Sequence, residues 1–206
     1  ISGGVGNQIQ IHSVGFPANS FFVGEQVYDE NNVPIEGLYV DRNGDGQITP
    51  SDRYRLNQPA PRAVFGFTSN LSVGNFSFLF AGRANVGNYV YNNVWSDQTD
   101  YNGLYGSTNF LRNRVSEATN IDFNVPQYFS DHFIRDASFL RLDHVTLSYN
   151  FSNMVSKIDR LQLNLVVQNP VVLTQYEGID PEIFLGIDRN TYPRARTILI
   201  GVNAAF

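Results

Sequence analysis

The end of the chain alternates with a period of two, and this pattern restricts the folds open to it. One apolar set takes every second position, while residues of the other set lie between: Ile198, Ile200, Val202, Ala204 and Phe206 against Thr197, Gly201 and Asn203. Because successive side chains of a strand point to opposite faces, the pattern predicts a strand with one apolar face. Two structures need such a strand: the lipid-facing wall of a membrane barrel and the inner layer of a soluble sandwich.

Composition favours many short strands and excludes several classes of function. Charged residues make up 16% of the 206 residues, aromatic residues make up 14%, and glycine occurs 17 times. This composition predicts an all-β protein. The net charge of −5 provides no basic surface for nucleic acid, and the absence of cysteine excludes disulfides and thiolate sites. The chain starts at Ile1 without a signal sequence, which we interpret as a piece of a longer protein.

Residues 63–88 predict a β-hairpin with a tight turn at Gly74 and Asn75. Its second strand carries Arg83 and Asn85 on the face opposite the phenylalanines. In a dry sandwich those side chains need buried partners, whereas in a barrel lumen they meet water, so they favour a barrel. Residues 139–151 and 161–168 predict two more strands with a continuous polar face.

The predicted connections between strands differ in length in a regular way. Residues 74–75 and 152–160 make short connections, while residues 89–138 and 169–192 make long ones, with an irregular stretch before the last strand. Short turns on one side and long loops on the other are typical of outer-membrane barrels. Near the amino terminus, residues 9–11 and 21–28 suggest two strands, the second broken by Val33 and Pro34.

Residues 41–52 read DRNGDGQITPSD and match the spacing of a calcium loop. The ligands predicted by this spacing are Asp41, Asn43, Asp45, the Gln47 carbonyl and Asp52. Gly46 supplies the turn that lets alternate side chains converge, although a strand precedes the loop and position twelve is Asp rather than Glu. We expect a structural Ca²⁺ here; the alternative is a solvated acidic turn.

Aromatic side chains are concentrated in the first long connection, and they are candidates for binding a substrate. The candidates are Tyr91, Trp95, Tyr101 and Tyr105. Such rings bind sugars or peptides by stacking, but packing within the loop explains them equally well. The three histidines are far apart, and no nucleophile motif occurs, so we expect no enzyme activity.

Several motifs together resemble the carboxy-terminal region of the SusC/RagA class of TonB-dependent outer-membrane transporters. They are YVDRNGDGQI at 39–48, NQPAP at 57–61, IRDASFLRL at 134–142, VTLSY at 145–149, YEGIDPE at 176–182 and YPRART at 192–197. The resemblance implies that residues 1–206 are the last, antiparallel strands of a transmembrane β-barrel of about 22 strands with long extracellular loops. One departure from the family pattern is Pro170, which leaves the end of the preceding strand open.

The resemblance also implies a role in the outer membrane of a Gram-negative cell. Members of the class import oligosaccharides or peptides with a SusD-like surface lipoprotein as a lid and TonB as the energy source. They contact outer-membrane lipid, and the barrel-assembly machinery reads their last strand, here Ile200, Val202 and Phe206. The alternative from the residues alone is a secreted, soluble β domain that binds Ca²⁺ and carbohydrate.

Overall fold

A computed structural model describes residues 8–105, 110–151 and 158–205 of the chain. Within these residues the strands are β1 (Gln10–Ile11), β2 (Ser20–Val23), β3 (Gln26–Tyr28), β4 (Pro34–Tyr39), β5 (Tyr54–Leu56), β6 (Ala63–Val73), β7 (Phe76–Val86), β8 (Tyr89–Asn92), β9 (Ile134–Asp136), β10 (Phe139–Phe151), β11 (Arg160–Thr174), β12 (Ile187–Asp188) and β13 (Thr197–Ala205). Two short helices are α1 (Asn93–Gln98) and α2 (Ala118–Ile121). None of the helices in this described part is long and apolar enough to cross a membrane.

The chain divides into two compact units. One, which we call the sheet unit, contains Arg62–Val86, Ser138–Gln175 and Tyr192–Phe206. The other, which we call the loop unit, contains Ile1–Pro61, Gly87–Ala137 and Tyr176–Thr191.

The sheet unit is a five-stranded antiparallel sheet with the order β13-β11-β10-β7-β6. The hairpin prediction is confirmed, because β6 and β7 pair from Val73↔Phe76 to Ala63↔Val86 around a two-residue turn. Gly74 has a φ of 58°, a conformation that glycine adopts without steric cost. Strand β10 spans the predicted residues 139–151. The sheet unit therefore agrees with the all-β, antiparallel prediction.

Strand β11 is longer than the sequence predicted. It continues past Gln168 and through Pro170 to Thr174, so the stretch that we expected to be irregular is partly strand. Leu142 pairs with Val171 and His144 with Gln168, which leaves one extra residue in β11 at this level. A proline lacks the N–H that a ladder needs, and a bulge is one of the few places in a sheet that tolerate it.

The loop unit has a hydrophobic core of its own and three small sheets, β1-β2-β5, β3-β4 and β12-β8-β9. The core brings together residues from all three segments of the unit: Ile9, Phe21, Val23, Tyr91, Ile121, Phe123, Phe133 and Ile187. Residues 89–138, expected to be a long loop, thus contain two strands, two helices and buried aromatic rings. Burial of these side chains stabilises the connection as a folded body.

The amino-terminal prediction of two strands needs correction. Residues 21–28 divide into β2 and β3 at Gly24, whose N–H donates to the Phe129 carbonyl (2.7 Å) outside these strands. A Cβ at Gly24 would lie 2.9 Å from the Tyr39 ring, so the close approach requires glycine. Pro34 does not end a strand but starts β4, a position at which a proline is tolerated.

Candidate functional site: a two-faced sheet and a folded loop unit

One face of the sheet unit is apolar across its strands. The pairing register aligns Phe78, Leu147, Leu165 and Ile200 in one row. These side chains are 37%, 41%, 39% and 76% exposed. Rows above and below repeat the pattern, and an exposed apolar surface of this extent requires an apolar environment or partner.

The opposite face of the sheet unit is largely polar. Ser148 Oγ donates to Asn164 Oδ1 (2.6 Å), and Asn203 Nδ2 donates to Gln162 Oε1 (3.3 Å). Neighbouring strands therefore connect their polar side chains across this face, as the alternation in the sequence predicted.

A bulge in β10 adds an ion pair to the polar face. Leu142 pairs with Gly82 and His144 with Ala81, so Asp143 is an extra residue relative to β7. Its carboxylate lies 2.6 Å from the guanidinium of Arg83, which is the arginine that argued for a wet lumen. An antiparallel sheet with an exposed apolar face and a polar, ion-paired face matches the wall of a transmembrane β-barrel, which faces lipid on one side and water on the other.

The edge strand β13 carries the residues predicted to be read during barrel assembly. Ile200 and Val202 are 76% and 63% exposed on the apolar face. Phe206 lies outside the described residues. Strand β13 pairs with β11 along one side, and its other side is an edge of this sheet, which in hydrocarbon must pair with a further strand.

The loop predicted to bind calcium is closed by its own hydrogen bonds. The Asp41 carboxylate accepts the N–H groups of Gly44 and Gly46, both at 2.7 Å, while Asn43 Oδ1 accepts that of Asp45 at 2.9 Å. Gln47 donates its N–H to Asp45 Oδ1 (2.8 Å). In the part of the chain that the structure describes, no group of three or more His, Asp or Glu side chains is arranged to hold a metal ion.

Asp52 closes the end of this loop. Its side chain accepts the N–H groups of Thr49 (2.8 Å), Arg42 (3.1 Å) and Asn43 (3.3 Å), and Asp52 is only 2% exposed. The N–H of Thr49 first, and then those of Asn43 and Arg42, hold the pKa of Asp52 below its ordinary value. The carboxylate thus stabilises the loop in its charged form.

The four aromatic candidates occupy different environments. Tyr91 is 1% exposed in the core, and its hydroxyl donates to the Tyr128 carbonyl (2.8 Å), so its ring packs inside the loop unit. Trp95 packs partly buried against the same core, and Tyr101 is also partly buried. Tyr105 is 76% exposed. The structure does not bring these rings together in one surface, and their role in binding stays a prediction.

The YEGIDPE motif is held in place by a buried hydrogen bond. Tyr176 donates its hydroxyl to Asp188 Oδ2 (2.7 Å), and both side chains are buried. Burial first, and then the hydrogen bond to Asp188, raise the pKa of Tyr176. A Cβ at Gly178 would lie 2.2 Å from the Tyr176 ring, which explains the glycine. Asp180 accepts the N–H of Glu182 (2.9 Å), a turn interaction.

The structure contains a cluster of polar side chains around His132 that the sequence did not predict. Tyr28 Oη lies 3.2 Å from His132 Nδ1, and Arg135 Nη2 lies 3.4 Å from His132 Nε2. The three-residue spacing of His132 and Arg135 was the available signal, whereas Tyr28 is 104 residues away in sequence. Burial, together with the charge of Arg135, lowers the pKa of His132 to about 4.

Comparison with known proteins identifies relatives of this chain, although no family model matches it. The TonB-dependent receptor SusC of Bacteroides thetaiotaomicron is 43% identical over 213 residues, which cover 100% of this chain and 21% of that protein. The TonB-dependent receptor P3 of Formosa agariphila is 28% identical over 93% of this chain and 21% of its own length.

Solved structures agree on the fold. The RagAB peptide importer in its closed-closed state has a TM-score of 0.72 and 22% identity, over 96% of this chain and 24% of that chain. The RagAB peptide transporter has a TM-score of 0.73, over 97% of this chain and 24% of that chain.

The chain belongs to the SusC/RagA class of TonB-dependent receptors and corresponds to its carboxy-terminal region. Receptors of this class are outer-membrane proteins of Gram-negative bacteria. This membership argues against the alternative of a free-standing secreted domain. The chain spans about a fifth of the length of the curated relatives it matches (21% for SusC and for P3).

Proposed function

We propose that the chain supplies barrel wall and extracellular loops to a TonB-dependent importer of oligosaccharides or peptides. The observation that supports this most directly is the row of exposed apolar side chains across β7, β10, β11 and β13, backed by an ion-paired polar face. Lipid on one side and a wet lumen on the other account for both faces. The role of the chain is then transport and not catalysis.

Uptake in living cells tests the transport proposal. The full-length receptor gene is deleted from the source organism, and uptake of labelled oligosaccharides and peptides is compared with that of the parent and of a strain lacking TonB. We expect both mutants to lose uptake of the same compounds. Unchanged uptake of every compound in the receptor mutant would contradict the proposal.

A SusD-like surface lipoprotein is the proposed partner, and family membership supports it. We expect such a lipoprotein to co-purify with the full-length receptor from detergent-solubilised outer membranes. Recovery of the receptor alone under mild detergent, with no lipoprotein at any salt concentration, would count against a lid.

The barrel-assembly machinery is the second proposed partner, through Ile200, Val202 and Phe206. The exposure of Ile200 and Val202 on an edge strand supports this role. Deletion of Phe206 is expected to lower the amount of folded receptor in the outer membrane, which heated and unheated gel mobility measures. Equal amounts in the deletion variant and the parent would refute it.

A structural Ca²⁺ at residues 41–52 is a separate proposal, and the spacing of Asp41, Asn43, Asp45, Gln47 and Asp52 supports it. In the full-length receptor, chelation is expected to speed protease cleavage in this loop, and added Ca²⁺ but not Mg²⁺ should reverse the effect. The variant Asp45→Asn should abolish the difference. Equal cleavage rates with chelator and with Ca²⁺ would contradict the proposal and favour the alternative of a solvated acidic turn.

A further inference from the structure

The loop unit contains a polar pocket of about 470 Å³ that no predicted site uses. It lies between the turn that joins β3 to β4, helix α2 and the start of β9. The polar side chains that line it and matter here are Tyr28, Asn32, Glu117, Asn120, His132 and Arg135. A concave site with several convergent polar groups is the kind of place where small ligands bind.

Arg135 is a partly buried cation in this pocket. In the described part of the chain its guanidinium forms no ion pair with a carboxylate, and its buried Nε has no hydrogen-bond partner. The guanidinium contacts His132 Nε2 and the Trp95 ring, whose centroid lies 5.5 Å away. Neither neighbour carries a negative charge. A partly desolvated cation without a counter-ion is costly, and an anionic ligand would offset that cost.

The hydrogen-bond partners of His132 determine which nearby group is free to donate to a ligand in the pocket. A guanidinium can only donate, so His132 Nε2 accepts from Arg135 and the ring proton is on Nδ1. His132 Nδ1 then donates to Tyr28 Oη, which leaves the Tyr28 hydroxyl hydrogen free to donate. His132 is neutral near pH 7, since its pKa is lowered to about 4, and this agrees with a single ring proton.

We propose that this pocket binds the carboxylate of a small acidic ligand, with the Arg135 guanidinium and the Tyr28 hydroxyl donating to its oxygens. Guanidinium and carboxylate form strong, charge-assisted hydrogen bonds, and the exposed amide of Asn32 supplies a further donor, whereas Asn120 Nδ2 donates to Glu117 Oε2 (3.5 Å). Glu117 is the acidic side chain in the lining and opposes an anion. The inference rests on the proposed import function and specifies it, because it names an acidic group in the substrate.

A carboxylate can come from a sugar acid or from a peptide, and matched probes distinguish the two. Full-length receptor in detergent is titrated by ligand-observed NMR with glucuronate against glucose, and with N-acetyl-diglycine against its amide. We expect one acid to bind and its neutral counterpart to bind much more weakly. Arg135→Gln is expected to weaken binding of the acid about tenfold or more. Glu117→Gln should strengthen it a few-fold.

Control variants keep the test decisive. Arg112→Gln removes the same charge at an exposed site outside the pocket and should change nothing. Asn120→Asp adds a negative charge at an exposed edge of the pocket and should weaken binding even if Arg135→Gln fails to fold. Equal binding of acid and neutral probes, no binding of either acid, or acid binding that survives Asn120→Asp unchanged would overturn the proposal. Because binding is measured without uptake, failure here is distinct from failure of the transport proposal.

Discussion

Replacement of Leu165 by arginine tests the assignment of the apolar face to lipid. Leu165 is 39% exposed in the middle row of the sheet, two residues from the central residue of the 15-residue strand β11. At about 3.3 Å per residue and a tilt near 45°, it lies roughly 5 Å from the height of the strand centre. If that centre is at the membrane midplane, the arginine stays deep in hydrocarbon and costs about 2–4 kcal/mol.

The matched control is Gln168→Arg on the same strand. Gln168 is exposed on the polar face, where it pairs with His144 and Thr197, so an arginine there remains in water. Both variants of the full-length receptor are folded into lipid vesicles over a urea series, and heated and unheated gel mobility measures the folded fraction. A cost of 3 kcal/mol lowers the folded-to-unfolded ratio roughly 150-fold. Equal loss in both variants, or none in Leu165→Arg, would refute the lipid-facing assignment.

Three further changes follow from specific contacts. Gly82→Ala places a Cβ 2.4 Å from the Arg141 carbonyl oxygen and should cost about 1–3 kcal/mol in the same folding assay, whereas Gly66→Ala meets nothing within 4 Å and should fold like the parent. Tyr176→Phe removes the hydroxyl that donates a hydrogen bond to the buried Asp188 and should cost about 1–3 kcal/mol by the same assay, while Tyr192→Phe, 93% exposed, is the neutral control. The folded-state pKa of His132, about 4, is below the ordinary value of 6.5, so its neutral form stabilises the loop unit fully above pH 6.5. That stability, on the order of 3 kcal/mol, should be lost as pH falls toward 4. Hydrogen exchange of residues 128–136, corrected for intrinsic rates, should show this loss, and a parent as flat with pH as His132→Gln would contradict it.

The sheet unit was predictable from the sequence because its signal is local. The alternation in residues 63–88 and 139–151 fixes faces and even the bounds of β10, since one side of each strand must be apolar. The bulges were not predictable in the same way. Whether Pro170 ends a strand depends on how β11 aligns with β10, and that alignment is a property of two strands and not of the residues around the proline.

The loop unit was largely hidden from sequence analysis because its core is assembled from distant segments. Ile9, Tyr91 and Phe133 pack together although more than a hundred residues separate the first from the last. Tyr91 illustrates the consequence: an aromatic residue in a polar segment suggests a binding surface, but its burial depends on partners that no local window contains. The same holds for Arg135, because its role in the pocket depends on its neighbours His132 and Trp95.

The connection between β7 and β10 has fixed ends, and this changes how it can function. Asn88 and Ala137 exchange two hydrogen bonds, Asn88 Nδ2 to the Ala137 carbonyl and the Ala137 N–H to the Asn88 carbonyl, each 2.9 Å, across 49 residues. Closing a flexible loop of that length costs about 3 kcal/mol of chain entropy. The two hydrogen bonds between Asn88 and Ala137 and the buried core of the loop unit offset this cost at folding. His132 and Arg135 lie within this connection, which is therefore folded before any ligand arrives. Because a ligand need not order them, the affinity of a small pocket on this unit is set by its contacts and not by loop closure.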